Sequence, residues 1–162
     1  MNTVVADACP VIFLAKSNQL ALVSGVFPGK ILLPDAVGRE LEQENIPLPE
    51  QRRIREFLKK CQIDTVRSPQ YESTSLSLAD RCVLTLAEKH RNAIILTDDG
   101  LMRRVARSEG FTVAGTLGIL IRARRAGLIT KTVARQALND LVGRHQFRIS
   151  IELFQAVLRY IE

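Results

Sequence analysis

The chain alternates short apolar runs with longer segments of helical periodicity, and this alternation limits the possible folds more than any other feature. The runs NTVVAD, KILLP, QIDTVRS, AIILT and FTVAG predict strands, with QIDTVRS the weakest and best suited to a sheet edge. Because strands and helices take turns along the chain, their order favours a parallel sheet with helices on both faces. We therefore expect a three-layer α/β/α sandwich around a central parallel sheet of about four to five strands.

Local signals predict where the first helices begin and end. The stretch PVIFLAKSNQLALVSGVF predicts a helix that is interrupted near Ser24 and Gly25. Asp35 is predicted to cap a helix over DAVGRELEQEN. The prolines of IPLPEQ are predicted to end that helix before a charged helix that begins at about Gln51.

Two further helical segments, TKTVARQALNDLVG and SIELFQAVLRYI, lie outside the alternation and are separated by the extended segment HQFRI. We predict one domain over residues 1–129 and a helical extension over residues 130–162 that packs on the same domain. The terminal segment carries an apolar stripe, which either packs on its own chain or contributes to a homodimer. The stripe consists of Ile151, Phe154, Val157, Leu158 and Ile161.

Length and composition predict one globular domain in a reducing compartment. A chain of 162 residues that is 46% hydrophobic can bury a single core. The sequence contains no apolar run of about eighteen residues, and its start, MNTVVADACP, lacks the features of a secretory signal, so we expect no membrane span and a cytoplasmic location. Cys9, Cys61 and Cys82 lack metal-type spacing, which argues against structural zinc and disulfides.

Charge is distributed unevenly along the chain. Residues 1–100 contain 12 Lys or Arg and 13 Asp or Glu, whereas residues 101–162 contain 11 and 4, within a total net charge of +6. The basic second part indicates either an anionic partner such as nucleic acid or ordinary solvated helix faces.

Acidic residues follow the predicted strands at one edge of the sheet. Asp7 comes directly after NTVVA, and the pair Asp98 and Asp99 comes directly after IILT. Glu40 and Asp80 lie in helices that begin at the same edge, and Asp80 has the capping-box spacing to Ser77, where its helix is predicted to start. In open parallel sheets the ligand crevice lies beyond the carboxyl ends of the strands. Taken alone, Asp7 is better explained as a helix cap and the Asp98–Asp99 pair as a turn, while Glu40 is compatible with a solvated face and Asp80 with a favourable charge at a helix start.

Carboxylates that converge on one crevice indicate a bound cation. Without one, they would repel each other and raise one another's pKa. Oxygen ligands and the lack of a His or Cys cluster favour Mg²⁺ or Mn²⁺ over zinc.

Four acidic segments occur in an order that resembles a known family. The segments VADACPVIFLAK, LPDAVGREL, SLADRCVLTLAEK and IILTDDGLMRRVA resemble the four acidic motifs of the PIN domain, a metal-dependent ribonuclease family that includes VapC-type toxins. The segments VAGTLGILIRARRAGLI and FRISIELFQAVLRYIE resemble a prokaryotic PIN-like subfamily whose members mostly lack an assigned function. The resemblance covers nearly the whole chain and implies a PIN-like fold.

The resemblance also implies roles for individual residues. Asp7, Glu40, Asp80 and Asp99 would be catalytic metal ligands, and Asp98 is the alternative to Asp99 as the last ligand. Cys9 stands where related sequences usually have Ser or Thr, and Thr97, Thr116 and Cys9 are the candidates to support the ligands. Candidate RNA-binding residues are Arg103, Arg104, Arg107, Arg122, Arg124 and Arg125.

The resemblance implies hydrolysis of single-stranded or structured RNA by a metal-activated water, and it implies a toxin whose partner is an antitoxin protein. Two alternatives stay open. One is a PIN-like protein that binds RNA or a partner protein without cleaving. The other is a phosphoacceptor receiver domain, although VAGTLG offers no lysine after the last strand.

Overall fold

A five-stranded parallel sheet forms the centre of the computed structural model, which describes residues 2–43, 45–72 and 75–162. The strand order is β3-β2-β1-β4-β5, and all four pairings are parallel. The strands are β1 (Asn2–Ala6), β2 (Gly29–Pro34), β3 (Gln62–Asp64), β4 (Ile94–Leu96) and β5 (Thr112–Ala114). The predicted α/β fold with a parallel sheet is therefore confirmed, and β3 is an edge strand as predicted.

Helices connect and cover the strands. They are α1 (Ala8–Lys16), α2 (Leu22–Val26), α3 (Asp35–Gln43), α4 (Leu48–Leu58), α5 (Leu78–Glu88), α6 (Gly100–Ser108), α7 (Thr116–Arg125), α8 (Lys131–Gly143) and α9 (Ile151–Ile161). Val4 and Val5 of β1 and Leu32 and Leu33 of β2 have no exposed surface. Because neighbouring strand residues point to opposite faces, consecutive buried residues require helices on both faces of the sheet.

The first helical stretch breaks earlier than the sequence predicts. Ser24 and Gly25 lie inside α2, and the interruption falls between Lys16 and Leu22 instead. Asn18 has a positive φ of 56° there. Asparagine tolerates this left-handed conformation better than most residues, and a right-handed helix cannot continue through it.

Two other helix boundaries differ from the predictions. Helix α4 begins at Leu48, not at Gln51, and contains Pro49 in its first turn. Proline is tolerated there because a first-turn residue needs no intrahelical N–H bond. Asp35 is the first residue of α3 rather than the residue before it, and it pairs with Arg39. The predicted helix ran to Asn45, but Asn45 is not helical, and Glu44 lies outside the described residues.

Residues 130–162 form a small second core with α7. Ala134 and Leu138 of α8 and Val157 and Ile161 of α9 are buried together against apolar side chains that include Leu117 of α7. Most of the apolar stripe of α9 thus packs on its own chain, whereas Ile151 at its start is exposed. Across the described part of the chain, no helix is long and apolar enough to cross a bilayer.

The strand order places a topological switch point between β1 and β4. The chain runs outward from β1 through β2 to β3, and then returns to the other side of β1 with β4. Connections leave the sheet in opposite directions at such a point, which opens a crevice at the carboxyl ends of the strands. Asp7 follows β1 and Thr97 follows β4, so the predicted acidic residues flank this crevice.

Candidate metal and active site

Asp7 is the most buried carboxylate at the crevice. Its side chain is only 6% exposed, its Oδ1 accepts a 2.7 Å hydrogen bond from the backbone N–H of Ala8, and its backbone N–H donates to Leu96 O of β4. Asp7 therefore caps α1. Burial raises the pKa of Asp7 from 3.8 to about 6, although the hydrogen bonds from Ala8 and Thr97 lower it.

Thr97 connects the acidic residues that follow β1 and β4. It is fully buried, and its hydroxyl donates a 3.0 Å hydrogen bond to Asp7 Oδ2. The same hydroxyl accepts a 3.3 Å bond from the backbone N–H of Asp99. Thr97 contacts a neighbouring carboxylate, as the sequence suggested, and it fixes the orientation of Asp7.

Glu40 and Asp80 act on Asp7 from two further helices. The negative charge of Asp80, and then that of Glu40, contribute to the raised pKa of Asp7. Both side chains are half-buried, and Asp80 also forms the predicted capping box with Ser77. The carboxylates from α3 and α5 therefore each lie close enough to Asp7 to act on its charge.

Asp98 is held against the start of α7 by Thr116. Its Oδ1 accepts a 2.8 Å hydrogen bond from the Thr116 N–H, and its Oδ2 accepts a 2.6 Å bond from the Thr116 hydroxyl. Burial raises the pKa of Asp98, while these two bonds and the nearby Arg103 lower it. The half-buried Arg103 also donates to Thr97 O at 3.1 Å.

Asp99 is more accessible than Asp98. Its side chain is exposed and caps α6 by accepting a 2.8 Å bond from the Met102 N–H. Cys9 lies within the influence of the same acids: its thiol pKa is raised to about 12 by loss of hydration and then by carboxylates. Those carboxylates are, in order of effect, Asp7, Asp98, Glu40 and Asp99. The charge of every predicted ligand thus contributes to the raised pKa of Asp7 or of Cys9.

The donor set fits a hard divalent cation in its chemistry, because it consists of carboxylate oxygens and the repulsion among them favours a positive charge between them. Within residues 2–43, 45–72 and 75–162, however, no three His, Cys, Asp or Glu side chains lie close enough together to hold a metal ion. A cation would therefore have to draw the carboxylates closer than they stand.

The predicted RNA-binding arginines occupy two different environments. Arg104 and Arg107 are exposed on α6, the helix that Asp99 caps. Arg124 instead donates to Ile161 O at the end of α9, and Arg125 lies over the Tyr160 ring at 5.0 Å. These last two are eight and nine residues beyond Thr116, roughly 12 Å or more along α7 from the crevice.

Sequence reasoning missed three features of the site. Arg103 was predicted only as a contact for RNA, but it also binds the backbone after β4. Gly115 is a point of close approach that the sequence does not signal, since a Cβ there would lie 2.6 Å from Asp98 Oδ1. Arg148, from the segment between α8 and α9, lines a cavity that reaches Asp98. No spacing along the chain signals this last approach, because the packing of α9 on α7 creates it.

The sheet topology defines an α/β domain with acidic residues at the carboxyl edge of its parallel sheet. The chain belongs to the PIN domain family: the family described as "DUF3368: PIN domain" matches residues 3–162. The resemblance drawn from the acidic motifs is thereby confirmed. Members of this family are generally nucleases.

Solved structures share the fold. One is "a domain of a functionally unknown protein" from Methanocaldococcus jannaschii DSM 2661, with a TM-score of 0.50, 18% identity, and coverage of 71% of this chain and 91% of that chain. Another is the PIN domain endonuclease Utp24, with a TM-score of 0.51, 16% identity, and coverage of 70% and 84%. No curated protein sequence matches the chain.

Proposed function

We propose that this protein is a Mg²⁺- or Mn²⁺-dependent endoribonuclease of the cytoplasm that serves as the toxin of a toxin–antitoxin pair. Family membership supports the nuclease class. The observation that carries the proposal is the electrostatic convergence of Asp7, Glu40 and Asp80 from separate elements at the strand-end crevice. Carboxylates that repel one another destabilise the protein when no cation is bound, and the same repulsion favours binding of a cation between them.

The proposal gives Asp7, Glu40, Asp80 and Asp99 the role of metal ligands. A bound Mg²⁺ would lower the pKa of a water and stabilise the charge that develops on a phosphodiester. Thr97 orients Asp7 through its hydroxyl. Asp98 is assigned to position the start of α7, because both of its oxygens already accept hydrogen bonds from Thr116.

RNA is the proposed substrate, bound mainly through its backbone. Aromatic residues make up only 5% of the chain, so base stacking has few candidates. Arg104 and Arg107 are exposed on the helix that begins at Asp99 and are the predicted arginines best placed for phosphates beside the crevice. Arg124 and Arg125 are assigned to hold α9 instead.

The test compares cleavage of a mixed RNA pool by wild type, Asp7→Asn and Asp99→Asn, each with Mg²⁺, with Mn²⁺ or with a chelator. We expect cutting by wild type with either metal, none with the chelator, and a loss of about a hundredfold or more in both variants. Glu42→Gln, which removes an exposed carboxylate from α3, is the matched control and should cut like wild type. Metal-dependent cutting retained in both Asp variants would refute the site.

The toxin role has a separate test. Induced expression of wild type should arrest bacterial growth, and expression of Asp7→Asn should not. The proposed antitoxin would place basic or apolar groups near the crevice, and co-expression of such a protein from the neighbouring gene should restore growth.

The proposal also includes a homodimer, which the family resemblance suggests. Sedimentation of the purified protein should then give the mass of two chains.

A non-catalytic PIN protein is the second candidate. The observation that favours it is that no compact group of metal-holding side chains occurs among the described residues. RNA binding by wild type without cutting in any metal would establish it. A receiver domain is excluded, because its fold has the strand order 2-1-3-4-5 and this sheet has 3-2-1-4-5.

A further inference from the structure

A cavity of about 350 Å³ lies between the start of α7 and the segment that leads into α9. At one end it reaches Asp98 and the Gly115 backbone, both at the edge of the crevice. Its other wall comes from the helical extension, through Phe147, Arg148 and Leu153. The cavity is therefore continuous with the candidate active site but depends on residues 130–162 for its shape.

The charged groups that line this cavity are mainly positive. They are the guanidinium groups of Arg103, Arg122 and Arg148, against the single carboxylate of Asp98. Asp98 already accepts two hydrogen bonds from Thr116, which offset part of its charge. The surplus of positive charge fits an anionic group next to the crevice.

The segment that carries Arg148 is fixed in place. The Phe147 N–H donates to Leu141 O at 2.9 Å, and its ring packs edge-to-face on Phe13 of α1 with centroids 4.8 Å apart. Arg148, the next residue, is exposed. Arg122 is similarly oriented on the facing wall, where its guanidinium lies 5.1 Å above the Phe27 ring. The contacts of Phe147 fix the backbone beside Arg148, and the Phe27 ring limits the motion of the Arg122 side chain, so less entropy is lost when an anion binds.

The rest of the lining is apolar. Leu117 and Ile121 of α7 face Leu153 of α9, whose side chain is 48% exposed. An apolar wall beside several guanidinium groups suits a ligand with a flat uncharged part and a phosphate. An unpaired nucleotide has both, whereas the paired bases of a duplex are stacked away from such a wall.

We propose that this cavity binds a nucleotide of single-stranded RNA that flanks the cleaved bond, with its phosphate on Arg148 and Arg122 and its sugar or base against Leu117 and Leu153. The inference rests on the proposed ribonuclease function and extends it to a subsite. The helical extension then supplies part of the RNA site rather than only bracing the domain.

Binding of a fluorescently labelled single-stranded RNA in the presence of a chelator tests this without any cleavage. Arg148→Gln should weaken binding by about tenfold at low salt and reduce the slope of log affinity against log salt by roughly 0.7, the value for one phosphate contact on a single strand. Arg148→Lys should keep most of the slope, because it keeps the charge. Arg159→Gln removes the same charge from an exposed site on α9 that does not line the cavity, and it should change the slope little.

A second pair of variants probes the apolar wall. Leu153→Glu puts a negative charge into the cavity and should weaken RNA binding by at least about tenfold. Ile151→Glu introduces the same charge two residues away, where the side chain is 73% exposed and does not line the cavity, and it should bind RNA almost as wild type does. If each variant and its control lose RNA affinity equally, the subsite is refuted. The comparison of Leu153→Glu with Ile151→Glu still tests the subsite if an Arg148 variant fails to fold.

Failure of the subsite and failure of the proposed function give different results. If wild type cuts RNA and Arg148→Gln cuts with unchanged KM, the ribonuclease stands and the subsite is refuted. If wild type does not cut RNA, but Arg148→Gln and Leu153→Glu lose binding more than their controls, the subsite stands as a binding site and the ribonuclease is refuted.

Discussion

The carboxyl group of Asp7 is almost excluded from solvent and lies in the field of Asp80 and Glu40. Its pKa is about 6 in the folded protein, against 3.8 for the ordinary value. Because this pKa is raised, the stabilising contribution of the protonated Asp7 carboxyl is fully present below about pH 3.8. That contribution is lost as the pH rises through about 6. Above that range, ionised Asp7 destabilises the metal-free fold by roughly 3 kcal/mol, since each pKa unit corresponds to about 1.4 kcal/mol.

Asp7→Asn should therefore stabilise the metal-free protein relative to wild type at pH 7.5 and much less at pH 4. An amide oxygen can still accept the Ala8 N–H, so the α1 cap is retained. The measurement is denaturant unfolding with chelator at both pH values. Glu42→Gln, at an exposed position, should differ from wild type in unfolding free energy by the same amount at pH 7.5 and at pH 4. A pH-independent difference between Asp7→Asn and wild type would contradict the assignment of the raised pKa to Asp7.

The adjacent residues Asp98 and Asp99 should separate into a structural and a metal-binding role. Asp98→Ala leaves the N–H and hydroxyl of the buried Thr116 without their acceptor, which should cost about 2–3 kcal/mol of unfolding free energy. Asp99→Ala removes a helix cap, at about 1 kcal/mol. Mg²⁺ should still raise the Tm of Asp98→Ala but not that of Asp99→Ala, because only a lost ligand removes the linkage between binding and folding. Thermal melts with and without Mg²⁺ measure both effects, and the opposite pattern would make Asp98 the ligand.

At this scale the sequence predicted where the acidic residues lie relative to the strands better than it predicted their surroundings. Asp7 and Asp98 could be placed because Asp7 directly follows a buried apolar strand and Asp98 lies two residues after another. Thr97 was a weaker prediction, since a β-branched residue in a strand needs no further role. The distances among the carboxylates could not be predicted, because they depend on how α3 and α5 lean on the sheet.

The turn from β5 into α7 brings two backbones close together at Gly115. A Cβ at this position would lie 2.8 Å from Arg103 Nη1 and 3.1 Å from Thr97 O, in addition to its clash with Asp98. Its φ of −128° is open to any residue, so close approach is the reason for glycine here. Gly115→Ala should push α7 away from β4 and lower the unfolding free energy by about 1–3 kcal/mol.

Gly118, one turn into α7, is the matched control for that substitution. A Cβ there meets no atom within 4 Å, so Gly118→Ala should raise the unfolding free energy by about 0.5–1 kcal/mol through helix propensity. Thermal or denaturant unfolding of the two variants gives the signs. Equal stabilisation by both alanines would mean that α7 can shift without cost.

Elements were predictable where the periodicity was long and uninterrupted. The strands and the start of α5 at its Ser77 cap follow the predicted order. The errors fall at helix boundaries, as in the break after α1, where the positive φ of Asn18 rather than Gly25 ends the helix. Sequence patterns favour glycine over asparagine as the residue that ends a helix. Here Gly25 lies within α2, whose Leu22 and Val23 are buried in the core, and the break falls at Asn18 instead.

On the scale of the whole molecule, residues 130–162 are expected to unfold together with the sheet, as one domain carrying a packed extension. Leu138 is fully buried in the small core of α7, α8 and α9, and Leu138→Ala should lower the unfolding free energy by about 2–5 kcal/mol. Because α7 also borders the crevice, a cooperative fold predicts the same midpoint for far-UV circular dichroism and for the fluorescence of a tryptophan introduced at exposed Arg104 of α6, since the chain has no tryptophan of its own. Val133→Ala, at a position of α8 that is 40% exposed, is the control and should shift both midpoints little. Two separate transitions, with only the helical one moved by Leu138→Ala, would instead make the extension an independent unit and would leave the nuclease centre to residues 1–129.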